Sequence, residues 1–232
     1  MSTYLLVHGA WHSAASWDRV IPLLAGAGHR ALAPSLTGHG DRSHLLGPDV
    51  GLDTHIDDVI RVLLEQDLTE VVLVGHSYAG MVISAVANLV PDRIAHLVYV
   101  DAMVPNDGES VIDVLPFTQH LIDQAAQSEA WWRIPPLPEL PPPAGLFGVT
   151  DPADVAWLRT ILSDEPVRCF QQAVRLDNPS ASAISRTHIH CTVGAPERRP
   201  VSPAETVWEL PTGHDCMVTM PFELSELLLK LA

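Results

Sequence analysis

The stretch 71–82, VVLVGHSYAGMV, is an apolar run that breaks at Gly75, contains one serine and then becomes apolar again. Its first part is typical of a buried strand and its second part of a buried helix. Ser77 stands between them, with the small residues Gly75 and Ala79 two positions before and after it. A sharp strand-to-helix turn needs small residues at both places, and it exposes the central hydroxyl. We therefore predict that Ser77 is a nucleophile, the alternative being an ordinary glycine turn.

Outward from this stretch, short apolar runs alternate with helical patterns. The alternation stops after residue 105 and returns near residue 187. Short strands without polar alternation indicate a parallel sheet covered by helices on both faces, so the sequence predicts an α/β fold. The predicted strands are TYLLVHG (3–9), HRALAPSL (29–36), EVVLVG (70–75), RIAHLVYVDA (93–102), THIHCTVG (187–194) and ETVWEL (205–210).

The segment 106–183 interrupts this rhythm and contains the proline cluster WWRIPPLPELPPP at 131–143. Prolines at this density can continue neither a helix nor a central strand. We interpret 106–183 as a helical cap inserted into one domain that spans residues 1–232.

Composition excludes several classes of function. The chain has 13 basic and 28 acidic residues, a formal charge of −15, which argues against a nucleic-acid partner. Its three cysteines have no metal-binding spacing, and the amino terminus lacks the basic region of a signal peptide. No apolar stretch reaches the length of a membrane span without interruption. We expect a cytoplasmic protein without a membrane partner; its oligomeric state is not predictable.

A serine hydroxyl needs a base, and a strand–serine–helix turn of this kind takes its histidine from the loop after the last strand. Of twelve histidines, only His214 in ELPTGHDCMVTMP (209–221) has that place in the chain. Two backbone N–H groups should stabilise an oxyanion. By position these belong to Tyr78, after the serine, and to Ala10, after the first strand.

These residues together resemble the α/β-hydrolase superfamily, and in particular a bacterial esterase branch related to plant methylesterases and hydroxynitrile lyases. The resemblance implies an α/β-hydrolase fold with a helical cap and a preference for carboxylic esters. It matches Ser77 to the nucleophile, His214 to the base, and Ala10 and Tyr78 to the oxyanion donors. It is carried by LVHGAWHSAASW, LTGHGDRSHLL, LDTHIDDV, LVGHSYAGMV, LVYVDAMVPNDGES and TGHDCMVTMP.

The third member of the triad departs from that pattern. The family usually places an aspartate after the penultimate strand, but the segment APERRPVSPAETVW (195–208) contains none. Glu197 is the acid nearest that place. Asp101, at the end of the strand that follows the nucleophile helix, occupies the alternative acid position of the fold. We favour Asp101 over Glu197, and the third possibility is that the acid is absent.

Other polar clusters receive structural interpretations. His188 and His190 share one face of a strand, but no third ligand at a suitable spacing accompanies them, so we expect no metal site and no cofactor. His39, in TGHGDRSH (37–44), is expected to pack or to form hydrogen bonds near the pocket.

The favoured function is hydrolysis of a carboxylic ester or lactone through an acyl-enzyme. The expected substrate is a moderately large, hydrophobic small molecule, polyketide-like for example. Two alternatives remain open: a lyase or cyclase of secondary metabolism that uses the same pocket, and a binding protein without catalytic activity. The related hydroxynitrile lyases carry lysine directly after the histidine; here that residue is Asp215, which disfavours cyanide elimination.

Overall fold

A computed structural model describes residues 1–194 and 198–232 of the chain. Eight strands and ten α-helices are assigned within these residues. In chain order they are β1 (Thr3–Val7), α1 (Ile21–Gly26), β2 (Arg30–Leu32), α2 (Leu52–Glu65), β3 (Val71–His76), α3 (Ala79–Leu89), β4 (Ile94–Val100), α4 (Val111–Val114), α5 (Thr118–Ala125), β5 (Arg133–Ile134), α6 (Pro152–Ile161), β6 (Glu165–Pro166), α7 (Val167–Gln171), α8 (Pro179–Ser182), β7 (Ser185–Cys191), β8 (Thr206–Leu210), α9 (Cys216–Thr219) and α10 (Pro221–Leu229).

Six of these strands form one sheet in the order β2-β1-β3-β4-β7-β8, and every neighbouring pair is parallel. The predicted α/β class with a parallel sheet is therefore confirmed. After β1 the chain adds β2 on one side, and it then returns to place β3 on the other. This reversal makes the carboxyl ends of β1 and β3 the switch point of the sheet, where ligands bind in open α/β folds.

The central strands β1, β3 and β4 are buried on both faces, which explains their mostly apolar sequences. Along β3, Val71 and Leu73 belong to one hydrophobic cluster, whereas Val72 and Val74 belong to the other. Helices α2 and α3 cover the first face, and α1 and α10 cover the second. Alternate residues of a strand point to opposite faces, so a doubly covered strand favours apolar residues at successive positions.

β2 is shorter than the sequence predicted. The predicted run covered residues 29–36, but pairing with β1 ends at Leu32. Pro34 has no N–H to donate to a ladder, so the chain leaves the sheet before it.

The segment between β4 and β7 holds α4 to α8 and a small antiparallel sheet of β5 and β6. It has no separate core: Phe170 and Ile134 join the cluster under α2 and α3, while Leu146 and Leu158 join the other. Within the described ranges, no helix has the length and apolar character needed to cross a membrane.

Candidate active site

Ser77 occupies the turn between β3 and α3 in the left-handed region, with φ of 55°. A residue with a Cβ atom is strained there, as at the nucleophile turn of a hydrolase. The Ser77 N–H donates to the Val100 carbonyl at 3.2 Å, and its own carbonyl accepts the Met103 N–H at 3.0 Å. A Cβ at position 75 would lie 2.8 Å from the Ala79 carbonyl oxygen, which explains the glycine there. Ala79 itself is accommodated.

His214 lies in the loop after β8, and its Nδ1 donates to Asp101 Oδ2 at 2.6 Å. Asp101 directly follows β4, and its Oδ1 accepts the Cys191 N–H at 3.1 Å and a hydrogen bond from Arg198. Burial raises the pKa of Asp101, but His214 and Arg198 outweigh it, so the pKa is lowered and the group is a carboxylate. Because Nδ1 carries the donated proton, Nε2 of His214 has the free lone pair. Glu197, the other candidate acid, lies outside the described residues.

His76, the last residue of β3, contacts the loop of His214. Its Nε2–H donates to the His214 carbonyl at 3.1 Å, and the two ring centroids are 4.5 Å apart. Burial and the neighbouring imidazoles of His214 and His12 hold the pKa of His76 well below its ordinary value, so the ring is neutral. A Cβ at position 9 would lie 2.9 Å from both His76 Nδ1 and Ser77 Cβ, so only glycine fits there.

The peptide that carries the Ala10 N–H is fixed through its carbonyl. The Gly9 carbonyl accepts His8 Nδ1–H at 2.9 Å and the His12 N–H at 3.3 Å. His8 Nε2 in turn accepts the Leu36 N–H at 3.0 Å, which sets the tautomer of His8. In a trans peptide the N–H points opposite to the C=O, so this chain of donors fixes and polarises the Ala10 N–H.

The next peptide, between Ala10 and Trp11, is held at both ends by buried side chains. The Ala10 carbonyl accepts His12 Nδ1–H at 2.7 Å, and the Trp11 N–H donates to Glu165 Oε2 at 2.8 Å. Trp11 has φ of 66°, a conformation that needs such support. Burial disfavours the Glu165 carboxylate, but His39, His55 and this N–H outweigh it and lower its pKa to about 2.

Asp215, directly after His214, is fully buried and lies 2.8 Å from His12 Nε2. Both ring nitrogens of His12 therefore face oxygen acceptors, Asp215 on one side and the Ala10 carbonyl on the other. Burial opposes the charged ring, but the Asp215 carboxylate outweighs it and raises the pKa of His12. The raised pKa favours an imidazolium on His12, and the pair joins the loop of His214 to the loop of Ala10.

The candidate site residues thus lie at one edge of the sheet. Ser77 and His214 are half-buried, and Met103 and Phe147 are half-buried apolar neighbours. The predicted oxyanion donors are the backbone N–H groups on either side of the switch point, after β1 and after Ser77. No sequence pattern pointed to the roles of His12, Asp215 and Glu165. His12 and Asp215 stood inside two quoted motifs, but Glu165 belongs to the insertion, where no pattern marks it.

Comparison with known proteins places the chain among proteins of this architecture. The model of the alpha/beta hydrolase family matches residues 4–227. A carbendazim-hydrolyzing esterase of Nocardioides sp. (strain SG-4G) is 35% identical over 244 residues that cover all of both chains. An alpha-hydroxynitrile lyase of Arabidopsis thaliana is 34% identical over 104 residues, 44% of this chain and 40% of the lyase.

Among solved structures, an extracellular alpha/beta-hydrolase from a Paenibacillus species superposes with a TM-score of 0.83 and 25% identity. The match covers 99% of this chain and 98% of that one. The resemblance seen in the sequence motifs is confirmed. The chain belongs to the alpha/beta hydrolase family.

Proposed function

We propose that the protein is a serine hydrolase of carboxylic esters that works through an acyl-enzyme. The observation that carries the proposal is the hydrogen bond of 2.6 Å between His214 Nδ1 and Asp101, at the sheet edge where Ser77 holds a strained turn. The full-length likeness to an esterase supports the same activity. A carboxylate on Nδ1 holds the ring in the tautomer whose Nε2 can accept a proton, which is the arrangement that activates a serine.

In the proposed reaction, Ser77 Oγ attacks the acyl carbonyl while His214 Nε2 takes its proton. The negative charge that develops on the carbonyl oxygen is stabilised by the N–H groups of Ala10 and Tyr78. The protonated His214 returns the proton to the leaving alcohol, and Asp101 stabilises the imidazolium. Water then attacks the acyl-enzyme with His214 again as the base, which regenerates Ser77.

The proposed substrate is a hydrophobic small molecule with an ester or lactone group. Met103 and Phe147 beside Ser77 and His214 support an apolar acyl or alcohol part. The insertion between β4 and β7 supplies Phe147, so we assign it the role of a cap that selects the substrate. Apolar pockets with a few polar groups bind ligands of this type.

The position of Asp215 supports hydrolysis over cyanide elimination. In the related lyases a lysine at this place would handle cyanide, whereas Asp215 is buried against His12 and turned away from the half-exposed side of His214. Asp215 therefore supplies no positive charge that could stabilise a leaving cyanide ion. A role as a scaffold without catalysis is disfavoured by the strained Ser77 turn, because such strain accompanies reactive groups.

The proposal is tested with a series of p-nitrophenyl esters of increasing acyl length and with a fluorophosphonate probe. We expect a burst of p-nitrophenol in stopped-flow measurements, stoichiometric labelling of Ser77, and loss of both in Ser77→Ala. Ser84→Ala is the matched control: Ser84 is a buried serine in the same helix region, bound to Tyr99 and the Gly80 carbonyl, and its loss should leave labelling intact.

Turnover that persists in Ser77→Ala would contradict the acyl-enzyme proposal. Labelling without hydrolysis of any ester in the series would instead favour a lyase or cyclase that uses the same serine.

A further inference from the structure

A second cluster of imidazole, carboxylate and thiol groups lies beside the loop of Ala10 and takes no part in the proposed reaction. It contains His39, His55, Glu165 and Cys169, and all four have 0% exposure. His39 belongs to the loop after β2 and His55 to α2, both in the sheet domain. Glu165 in β6 and Cys169 in α7 come from the insertion. The cluster therefore joins the two parts of the molecule.

In each histidine, one ring nitrogen forms a hydrogen bond with a neighbour, and the other ring nitrogen faces the interior of the cluster. His55 Nε2–H donates to the Thr37 carbonyl at 3.0 Å, which leaves the Nδ1 lone pair facing inward. His39 Nδ1 lies 2.8 Å from the Ser163 hydroxyl, which leaves Nε2 facing Glu165. Histidines that bind metals are oriented in this way, by a hydrogen bond from the nitrogen that does not bind.

Three of the inward-facing atoms lie close enough together to share one ion. His39 Nε2 is 3.2 Å from Glu165 Oε2, and His55 Nδ1 is 3.7 Å from Cys169 Sγ. One atom each of His39, His55 and Glu165 lie within 4.8 Å of one another. Cys169 Sγ is outside that group and would have to turn toward it to complete a set of four ligands. Zinc bonds of about 2.0–2.3 Å would place neighbouring ligand atoms about 3.3–3.6 Å apart.

Two of these buried atoms lack a well-formed hydrogen bond. Among the residues described, Glu165 Oε1 has no hydrogen-bond partner, and His39 Nε2 faces Glu165 Oε2 at 3.2 Å without the alignment of a hydrogen bond. Leaving a buried polar atom unpaired costs free energy, and a buried carboxylate costs more. A divalent cation would satisfy both atoms, and together with the carboxylate and a thiolate it would leave the cluster neutral.

We propose that His39 Nε2, His55 Nδ1, Glu165 and Cys169 Sγ bind one Zn²⁺ ion. Two imidazoles, one carboxylate and one sulfur are ligands that zinc accepts, and four protein ligands without a free position make a structural site. The ion replaces the proton of the Cys169 thiol. The Tyr78 hydroxyl, 3.0 Å from His55 Nδ1, gives up that hydrogen bond when the ion binds.

The position of the site defines its role. Glu165 also holds the Trp11 N–H, so the ion would attach the insertion to the sheet domain directly beside the loop of Ala10. Because the ligands come from both parts of the chain, metal binding adds its free energy to the docking of the insertion. The site thus has a structural role, because it holds the insertion against the sheet domain, and it is no part of the reacting centre.

The test uses untagged full-length protein expressed with added zinc and desalted without chelator, and its readout is metal content by mass spectrometry. We expect about one equivalent of zinc, and affinity weakened by about 100-fold or more in Glu165→Gln, which retains an acceptor for Trp11. His39→Ala should lose the metal. Cys216→Ser, which removes another buried thiol, is the matched control and should keep the full equivalent.

A second measurement on the unmodified chain avoids dependence on variants that fail to fold. Protein expressed with cobalt in place of zinc should show a thiolate-to-cobalt charge-transfer band, which Cys169→Ser should lose and Cys216→Ser should keep. Protein without stoichiometric metal, or metal that remains in Glu165→Gln and His39→Ala, overturns the proposal. Ester hydrolysis is not the readout, so failure here leaves the proposed function untouched.

Discussion

The adjacent residues His214 and Asp215 each belong to a histidine–aspartate pair, and the two pairs differ in what surrounds them. In the pair of His214 with Asp101, the imidazole is half-exposed and, in the described part of the chain, only its Nδ1 has a hydrogen-bond partner. In the pair of Asp215 with His12, both partners are fully enclosed and both nitrogens donate. A free Nε2 allows proton transfer, whereas two occupied nitrogens allow only positioning. The same two residue types thus serve opposite purposes because of burial and of the second acceptor.

The largest expected effect comes from Asp101→Asn. An amide in place of the carboxylate can donate to Nδ1, which stabilises the wrong tautomer of His214 and leaves no base for Ser77. We expect kcat to fall by about 10³–10⁴-fold, with a change in KM of less than about threefold. Steady-state kinetics on a p-nitrophenyl ester measure both values. A fall in kcat of less than tenfold would contradict the role of Asp101, and the acid of the triad would then be Glu197 or absent.

The same substitution in the other pair, Asp215→Asn, should have the opposite profile. It leaves the His12 imidazolium without a counter-charge in a buried site, so we expect a loss of about 2–4 kcal/mol in the free energy of unfolding. The loss of kcat should be about 10-fold to 100-fold, through displacement of the Ala10 loop. Urea denaturation and kinetics on the two asparagine variants are compared side by side. If Asp215→Asn kept the stability of the wild type and lost kcat as strongly as Asp101→Asn, the contrast between the two pairs would be wrong.

The smallest effect is the dependence of stability on pH. The pKa of His12 is raised in the folded protein. The pair therefore contributes its full stability below the ordinary imidazole pKa of about 6.5 and loses it as pH rises through the raised value. In that window the free energy of unfolding should fall by up to about 1.4 kcal/mol per pH unit more than in His12→Gln.

This prediction is measured by urea denaturation of wild type and His12→Gln between about pH 6 and pH 9. Parallel curves for the two proteins would show that His12 has the same pKa in the folded and unfolded states. Asp101 has the opposite sign: its lowered pKa contributes stability that is lost only as pH falls through the folded value, so it does not interfere in this window.

The sequence predicted most of the sheet and the place of each candidate site residue. Ser77, His214 and Asp101 each follow a strand, and the carboxyl ends of parallel strands meet at one edge, so chain order alone brought them into one neighbourhood. The length of β2 was overpredicted, because Pro34 ended the pairing inside an apolar run. The partner of Asp215 was not foreseen, since His12 is distant in the chain and no periodicity links the two.

What the sequence by itself determined is the alternation of apolar strands and helices, the small-residue turn around Ser77, and the chain order of serine and histidine. These are local patterns, and local patterns carry their own physical cause in backbone sterics and burial. Only the tertiary structure decided which carboxylate faces which imidazole. It placed Asp101 against His214, Asp215 against His12, and Glu165 between His39 and the Trp11 N–H. Such choices depend on distances of a few ångströms between segments far apart in the chain, which no short pattern records.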